Sequence, residues 1–169
     1  MTVSPEGSLS LCLQYLINTV SASARFQTVV GADNATEAKA KIFRSFAVDT
    51  DDDNTNPQAP PRAIVRHLSG DMTELIGTTQ WSSHGPLRLL FNFPNDPELT
   101  QEENDITFTN NVGIILDEMK TLATTDPGAG PYLSISGLQG LAIGQNDEQE
   151  APQMKDHWIA EYIVHWKGQ

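Results

Sequence analysis

Apolar positions spaced three and four residues apart predict two long helices. The first lies within residues 8–26, where one face carries Leu9, Leu13, Leu16, Ile17, Val20 and Ala24. The second begins near Asp105 or Thr109 and ends near residue 123, with an apolar face made of Phe108, Val112, Ile115, Leu116, Met119, Leu122 and Ala123. Both helices are expected to bury this face, while Glu118, beside it in sequence, is expected to face solvent.

A shorter helix is predicted between these two. Gly31 is a plausible stop for the first helix, and Asn34 is placed to cap a new one. Glu37, three residues on, completes a capping box with Asn in place of Ser. The buried side of this helix would contain Ala38, Ile42, Phe43 and Phe46.

Strands are indicated where the period changes to two. Residues 62–68, 72–83 and 87–93 follow one another closely, with a turn at His84-Gly85-Pro86, and this spacing favours an antiparallel meander. A fourth strand is predicted over YLSISGLQGLAI, in which the glycines suggest a bulge or a bend.

The last predicted strand, WIAEYIVHW, is apolar on both faces. Trp158, Ala160, Tyr162, Val164 and Trp166 share one face, and mostly apolar residues occupy the other. Such a strand is typical of the interior of a sheet, or of a sheet with something packed on each side. We expect the rings to pack on the second long helix, and Trp166 also to project into a subunit contact, where Trp and Tyr are enriched.

The element order α, α, β, β, β, α, β, β predicts an α+β fold. We expect an antiparallel or mixed sheet of about five strands backed by two to three helices. The length of 169 residues fits a single domain, 1–169, with acidic loops near 49–61, 94–105 and 144–155.

The net charge of −12 narrows the possible partners. Residues 49–105 alone hold 11 Asp and Glu against three Arg. The resulting negative potential opposes adhesion to DNA and to anionic membranes. It would suit a surface that lines a channel through which DNA moves without binding. With no apolar run long enough for a membrane span and no basic leader, we expect a soluble, intracellular protein.

Catalytic and metal motifs are missing from the sequence. The chain contains no GxSxG, GxxxxGK[ST], GxGxxG or HExxH pattern. The single cysteine, Cys12, falls on the apolar stretch of the first helix, and we expect a buried thiol. His67 and His84 lie on neighbouring predicted strands, where a cross-strand pair is an open alternative. We expect neither enzymatic activity, nor a cofactor, nor a metal site.

Four stretches of the chain carry a resemblance to known proteins. They are PPRAIVRH, the pattern W-x-x-x-G-P-L-R-L-L-F from Trp81 to Phe91, the helix NNVGIILDEM, and the closing W-x-A-E-Y-I-V-H-W. With the element order, they resemble the small neck and tail-completion proteins of long-tailed bacteriophages, and tail terminators most of all. The likeness covers residues 8 to 166, but the long acidic loops and the second helix depart from it.

The resemblance implies a structural role in a virus particle. Tail terminators are α+β proteins that assemble as six-fold rings, cap the tail tube, and dock to the head-side connector or stopper protein. It therefore implies a homo-hexamer in the virion neck, assembled in the host cytoplasm, through which DNA passes without specific binding and with no membrane contact. The residues expected to contact a subunit or partner are Trp166, His165, Arg62, Arg66, Arg88, Asp51, Asp52 and Asp53.

Three alternatives stay open at this point. Within the same class, the chain could be a head-completion or head–tail joining protein. A small-ligand-binding domain would instead place a concave apolar pocket behind the sheet and would be a monomer or dimer. An enzyme using His67 and His84 would lose turnover on substitution of either residue.

Overall fold

The fold is α+β, as the element order predicts. The computed structural model describes residues 8–44, 60–68, 72–76, 80–125, 133–145 and 157–168. These residues form four helices and six strands: α1 (Ser8–Ala22), α2 (Ala24–Val30), α3 (Ala35–Lys39), β1 (Ile42–Phe43), β2 (Arg62–His67), β3 (Met72–Ile76), β4 (Gln80–Pro94), α4 (Gln101–Thr125), β5 (Leu133–Gln145) and β6 (His157–Gly168).

The strands form one mixed sheet in the order β1-β2-β4-β6-β5, and β3 pairs with β4 beside this path. Only the short β1–β2 pair is parallel among the described pairs, and the others are antiparallel. β6 lies between β4 and β5, which confirms that the aromatic strand is an inner one. The register shifts in β5 fall beside Gly137 and Gly140, which confirms the bulges expected there.

The meander prediction was wrong in detail. β4 runs unbroken through Gly85-Pro86, where a turn was expected, and the predicted strand 72–83 is divided between β3 and the start of β4. β2 and β3 do not pair with each other in the described sheet. Instead, both pair with β4, β3 with its first half and β2 with its second half. β4 is therefore the strand with which both β2 and β3 form their hydrogen-bonded pairs.

The first predicted helix is divided at Ser23. The backbone of Ser23 is extended, and its side chain accepts a hydrogen bond from the Phe26 backbone nitrogen, so that α2 begins with its own N-cap. Gly31 ends α2 in the left-handed conformation, at φ 68°, which confirms the expected stop. Cys12 is buried in α1, as expected.

The short helix predicted after Gly31 forms, but it ends earlier than expected. Asn34 caps α3, and its Oδ1 atom accepts a hydrogen bond of 3.0 Å from the Glu37 backbone nitrogen. The helix ends at Lys39, however, and Ile42 and Phe43 form strand β1 beside β2. Two β-branched and aromatic residues next to an available sheet edge favour a strand over another helical turn.

The core lies between the helices and one face of the sheet. It contains most of the apolar faces predicted for the two long helices and alternate residues of β2, β4 and β6. Ala24, predicted to be on the first of these faces, is exposed instead, because the helix is divided at Ser23. A chain of aromatic contacts runs along it, with ring centroids 5.6 to 6.2 Å apart, through Phe26, Phe91, Phe93, Phe108 and Trp158. These rings join α2, the centre of the sheet and α4 into one packed layer.

α4 begins at Gln101, earlier than predicted. Thr100 and Glu103 form a capping box, in which the Glu103 carboxylate accepts hydrogen bonds of 2.8 Å from both the backbone nitrogen and the hydroxyl of Thr100. These hydrogen bonds lower the pKa of Glu103. The sequence signal, Thr-x-x-Glu, was present but was assigned to an acidic loop.

Candidate functional site

Three arginines lie on the face of the sheet opposite the helices, which we call the outer face. Ala63 and Val65 of β2 belong to the helix-side core, so Arg62 and Arg66 alternate onto the outer face. Arg88 of β4 lies directly opposite Arg66 in the register. The three cations that the sequence singled out therefore share one surface.

Arg88 has a carboxylate partner within the same chain. It forms an ion pair with Glu161 of the neighbouring strand β6, and both side chains are about one-fifth exposed. Partial burial weakens solvent screening, so this pair is stronger than a fully exposed one. A contact of Arg88 with another subunit stays a prediction, and it would have to form alongside this internal pair.

The centre of the outer face is buried. Ile64, Leu90 and Asn92 are at most 4% exposed, although Ile64 and Leu90 are separate from the helix-side core cluster. Arg62 lies opposite Asn92 and is also buried, and this desolvation lowers the pKa of its guanidinium. The sheet is thus buried on both sides at β2 and β4, and the accessible part of the outer face lies toward β6.

The C-terminal half of β6 carries two of the predicted contact residues. His165 is exposed and lies between Pro86 of β4 and Gly137 of β5. The backbone of Trp166 pairs with Gly85 and Ile135, while its side chain lies outside the described residues. Asp51, Asp52 and Asp53 lie outside the described residues as well, so their contact role stays a prediction.

The helix-side face of β6 contains the rest of the aromatic pattern. Trp158, Ala160 and Val164 are buried in the core, and Tyr162 packs against it. Burial raises the pKa of Tyr162, partly offset by the nearby charge of Lys120 on α4. The Trp158 ring contacts Phe108 of α4, which agrees with the expectation that the rings of this face pack on the long helix.

The register does not bring His67 and His84 together as a cross-strand pair. His67 lies opposite Leu87, whereas His84 lies opposite Met72 on one side and Lys167 on the other. Across the described ranges, no three His, Cys, Asp or Glu side chains converge in an arrangement able to hold a metal ion.

The outermost strand, β5, presents apolar side chains to solvent. Leu141 and Ile143 are 50% and 53% exposed. The whole strand, LSISGLQGLAIGQ, contains no charged residue and no proline. In proteins that stay monomeric, charged residues or prolines on an edge strand commonly prevent it from pairing with another chain. β5 lacks both of these protections, so apart from its two bulges it is a surface suited to pairing with another strand.

A groove of about 530 Å³ opens between α2, the first half of α4 and the end of β4. Its base is apolar, with Phe93, Phe108 and Trp158, and its rim includes Arg25 and Asp96. The Trp158 indole nitrogen donates a hydrogen bond of 2.9 Å to Asn95, which fixes the ring at the groove. This is the kind of concave, mostly apolar surface that the ligand-binding alternative requires.

Asn104 supports the wall of this groove and was missed at the sequence level. Its amide nitrogen donates to the carbonyl oxygens of Asp96, Leu99 and Thr100, and its Oδ1 atom accepts from the Asp96 backbone nitrogen. One buried side chain thereby holds the 96–100 turn against α4. A polar residue at a position facing the core was the available signal.

Glu118 was also assigned wrongly, since it does not simply face solvent. Its carboxylate accepts hydrogen bonds from the Ser23 hydroxyl and the Arg25 backbone nitrogen at the start of α2. The neighbouring Asp117 is exposed and pairs with Lys120, one helical turn away.

None of the helices in the described ranges combines the length and apolar character that crossing a membrane requires. No protein-family model matches the chain, and no curated protein matches its sequence.

Proposed function

We propose that the protein is a structural component of a long-tailed bacteriophage particle that forms a ring at the neck. In this role it caps the tail tube as a tail terminator and joins it to the head-side connector. The sequence resemblance suggests this role, and the observation that carries it is the exposed, uncharged β5 edge. A strand of this kind suits a protein whose working state is an assembly.

The charge of the chain is consistent with the proposal. A net charge of −12 gives an assembled ring a strongly negative field, and phosphates passing through its opening are repelled rather than bound. A head-completion or head–tail joining protein is the nearest alternative, because it too forms a small ring around the DNA path.

The test is the mass of the purified protein by light scattering at two protein concentrations, followed by negative-stain imaging with and without tail tubes. We expect rings, or a monomer that becomes a ring when tubes are added. A monomer or dimer under every condition, with no affinity for tubes, would refute the proposal. Binding to the connector rather than to the tube would favour the joining protein.

The groove favours a second candidate function, which is binding of a small ligand. Its apolar base and its mixed-charge rim suit an amphipathic molecule with one polar end. A thermal-shift screen of small amphipathic compounds tests this function, with Thr107→Trp as a groove-filling control. Stabilisation that disappears in Thr107→Trp supports binding in the groove, and no stabilisation by any compound argues against this function.

A further inference from the structure

The two lateral edges of the sheet, as the described strands form it, differ in chemistry. At one edge, β5 is uncharged along all 13 residues. At the other edge, β1 is flanked by Lys39, Lys41 and Arg44, which are three of the ten basic residues of the whole chain. Lys39 and Arg44 are exposed, and Lys41 is partly exposed. In a chain of net charge −12, a basic edge attracts another acidic copy.

The strand directions also match across these two edges. β1 runs parallel to β2, β4 runs opposite to β2, β6 runs opposite to β4, and β5 runs opposite to β6. β5 therefore runs antiparallel to β1. When a second copy is placed beside the first in the same orientation, its β1 meets the first copy's β5 as an antiparallel neighbour, which is the hydrogen-bonding arrangement favoured between strands.

We propose that the edge formed by β5 of one copy binds the β1 edge of the next copy, head to tail, and continues the sheet from subunit to subunit. The contact joins two different surfaces, so it is heterologous and generates a ring when the rotation per subunit closes. The inference rests on the proposed ring function and names the two surfaces that would build the ring.

The uncharged β5 also removes a cost of self-association. Two copies of a strongly acidic chain repel each other, and a contact strand without carboxylates keeps like charges away from the join. Leu141 and Ile143, each about half exposed in the single chain, would lose that exposure in the contact. Apolar burial and backbone pairing then act together, as in other cases of strand addition.

Cysteine cross-linking tests the contact directly. Ile143→Cys and Lys41→Cys are made in separate full-length chains and treated with a short bismaleimide, alone and mixed. Cys12 is only 2% exposed, so the parent chain serves as the unreactive control. Head-to-tail pairing predicts cross-linked dimers in the mixture and little in either variant alone.

Each outcome bears on a different part of the inference. Strong cross-linking of Ile143→Cys with itself would mean a two-fold contact and would overturn the head-to-tail arrangement. Rings that form without any Ile143–Lys41 cross-link would overturn the inference but leave the ring function standing. Absence of both assembly and cross-links, with or without tail tubes, would overturn both.

A charge placed on the edge gives a second, independent measurement. Ile143→Lys puts an unpaired cation into the contact and is expected to weaken self-association at least about tenfold. Ile106→Lys is the matched control, because Ile106 is 61% exposed and belongs to α4 rather than to either edge strand. Equal self-association of the two variants would contradict the proposal.

Discussion

The carboxylate of Glu118 accepts a hydrogen bond of 2.6 Å from the hydroxyl of Ser23, a residue 95 positions earlier in the chain. The same carboxylate oxygen accepts a 3.0 Å hydrogen bond from the Arg25 backbone nitrogen. Ser23 in turn accepts from the Phe26 backbone nitrogen. The start of α2 is therefore capped jointly by its own residue and by a charge on α4, and the break between α1 and α2 is held in place by tertiary structure.

Removing this carboxylate should destabilise the fold. We expect Glu118→Ala to lower the free energy of unfolding by about 2 kcal/mol, because backbone and hydroxyl donors at a helix start lose a charged acceptor. Asp117→Ala is the control, since it breaks only an exposed pair with Lys120 and should cost about 0.5 kcal/mol or less. Urea unfolding of both variants measures the difference, and equal losses would contradict the joint cap.

Asn104 should be as sensitive as an apolar core residue. Asn104→Ala removes one acceptor and a donor group shared by three carbonyl oxygens, and we expect a loss of about 2 kcal/mol. Because the side chain holds the 96–100 turn, the same variant should alter the groove and quench or shift the emission of Trp158. Asn111→Ala, at a groove-lining position about two turns further along α4, is the control, and an equal effect there would count against this role of Asn104.

The capping box of α4 predicts a dependence on pH. The hydrogen bonds from Thr100 hold the pKa of Glu103 below its ordinary value of 4.5. A carboxyl group with a lowered folded-state pKa contributes stability that is fully present above its unfolded-state pKa and is lost as the pH falls through the folded-state value. Glu103→Gln should therefore be less stable than the parent chain at pH 7, with a gap that closes as the pH falls below 4.5 and through the lowered folded-state pKa.

Glu102→Gln is the control for this effect. Both residues lie in the first turn of α4 and share its dipole, but only Glu103 receives the two hydrogen bonds from Thr100. Thermal unfolding across pH 3 to 7 compares the two variants. If their stability curves coincide at every pH, the capping box does not supply the pH dependence.

The aromatic layer should dominate the stability of the core. Phe91 is fully buried and contacts the rings of both Phe26 and Phe93. Phe91→Ala leaves a cavity at the centre of the sheet, and we expect a loss of about 3 to 5 kcal/mol. Ile106→Ala, at an exposed position of α4, should change the free energy of unfolding by no more than about 0.5 kcal/mol. A loss near 1 kcal/mol for Phe91→Ala would show that neighbouring side chains fill the space.

Periodicity predicted the helices and the inner aromatic strand because each of these elements buries a regular face. It failed at Gly85-Pro86, where a turn was expected but β4 continues. The reason is tertiary: β2 pairs with β4 only up to Leu87, and β3 only up to His84. Pro86 lies in the gap between them, where its carbonyl oxygen accepts from the Leu68 backbone nitrogen. A missing N–H on that side interrupts no strand-to-strand hydrogen bond.

For the candidate contact residues too, the sequence predicted some features, while others required the strand register. Arg62, Arg66 and Arg88 could be identified from charge alone, because few cations occur in this acidic chain, but their common face required the register. The partner of Arg88, Glu161, is 73 residues away and belongs to a different strand. Local sequence contains no information about such a pair. The uncharged β5 could be seen in the sequence, yet its position at an edge follows only from the strand order.

The position of β6 sets the order of events during synthesis. β4 and β5 are made before β6, but in the described sheet they are joined only through it. β5 therefore has no place in the sheet until residues 157–168 have left the ribosome, and this pairing of distant segments is a slow step in folding. Until that pairing is made, a nascent chain has no finished β5 edge.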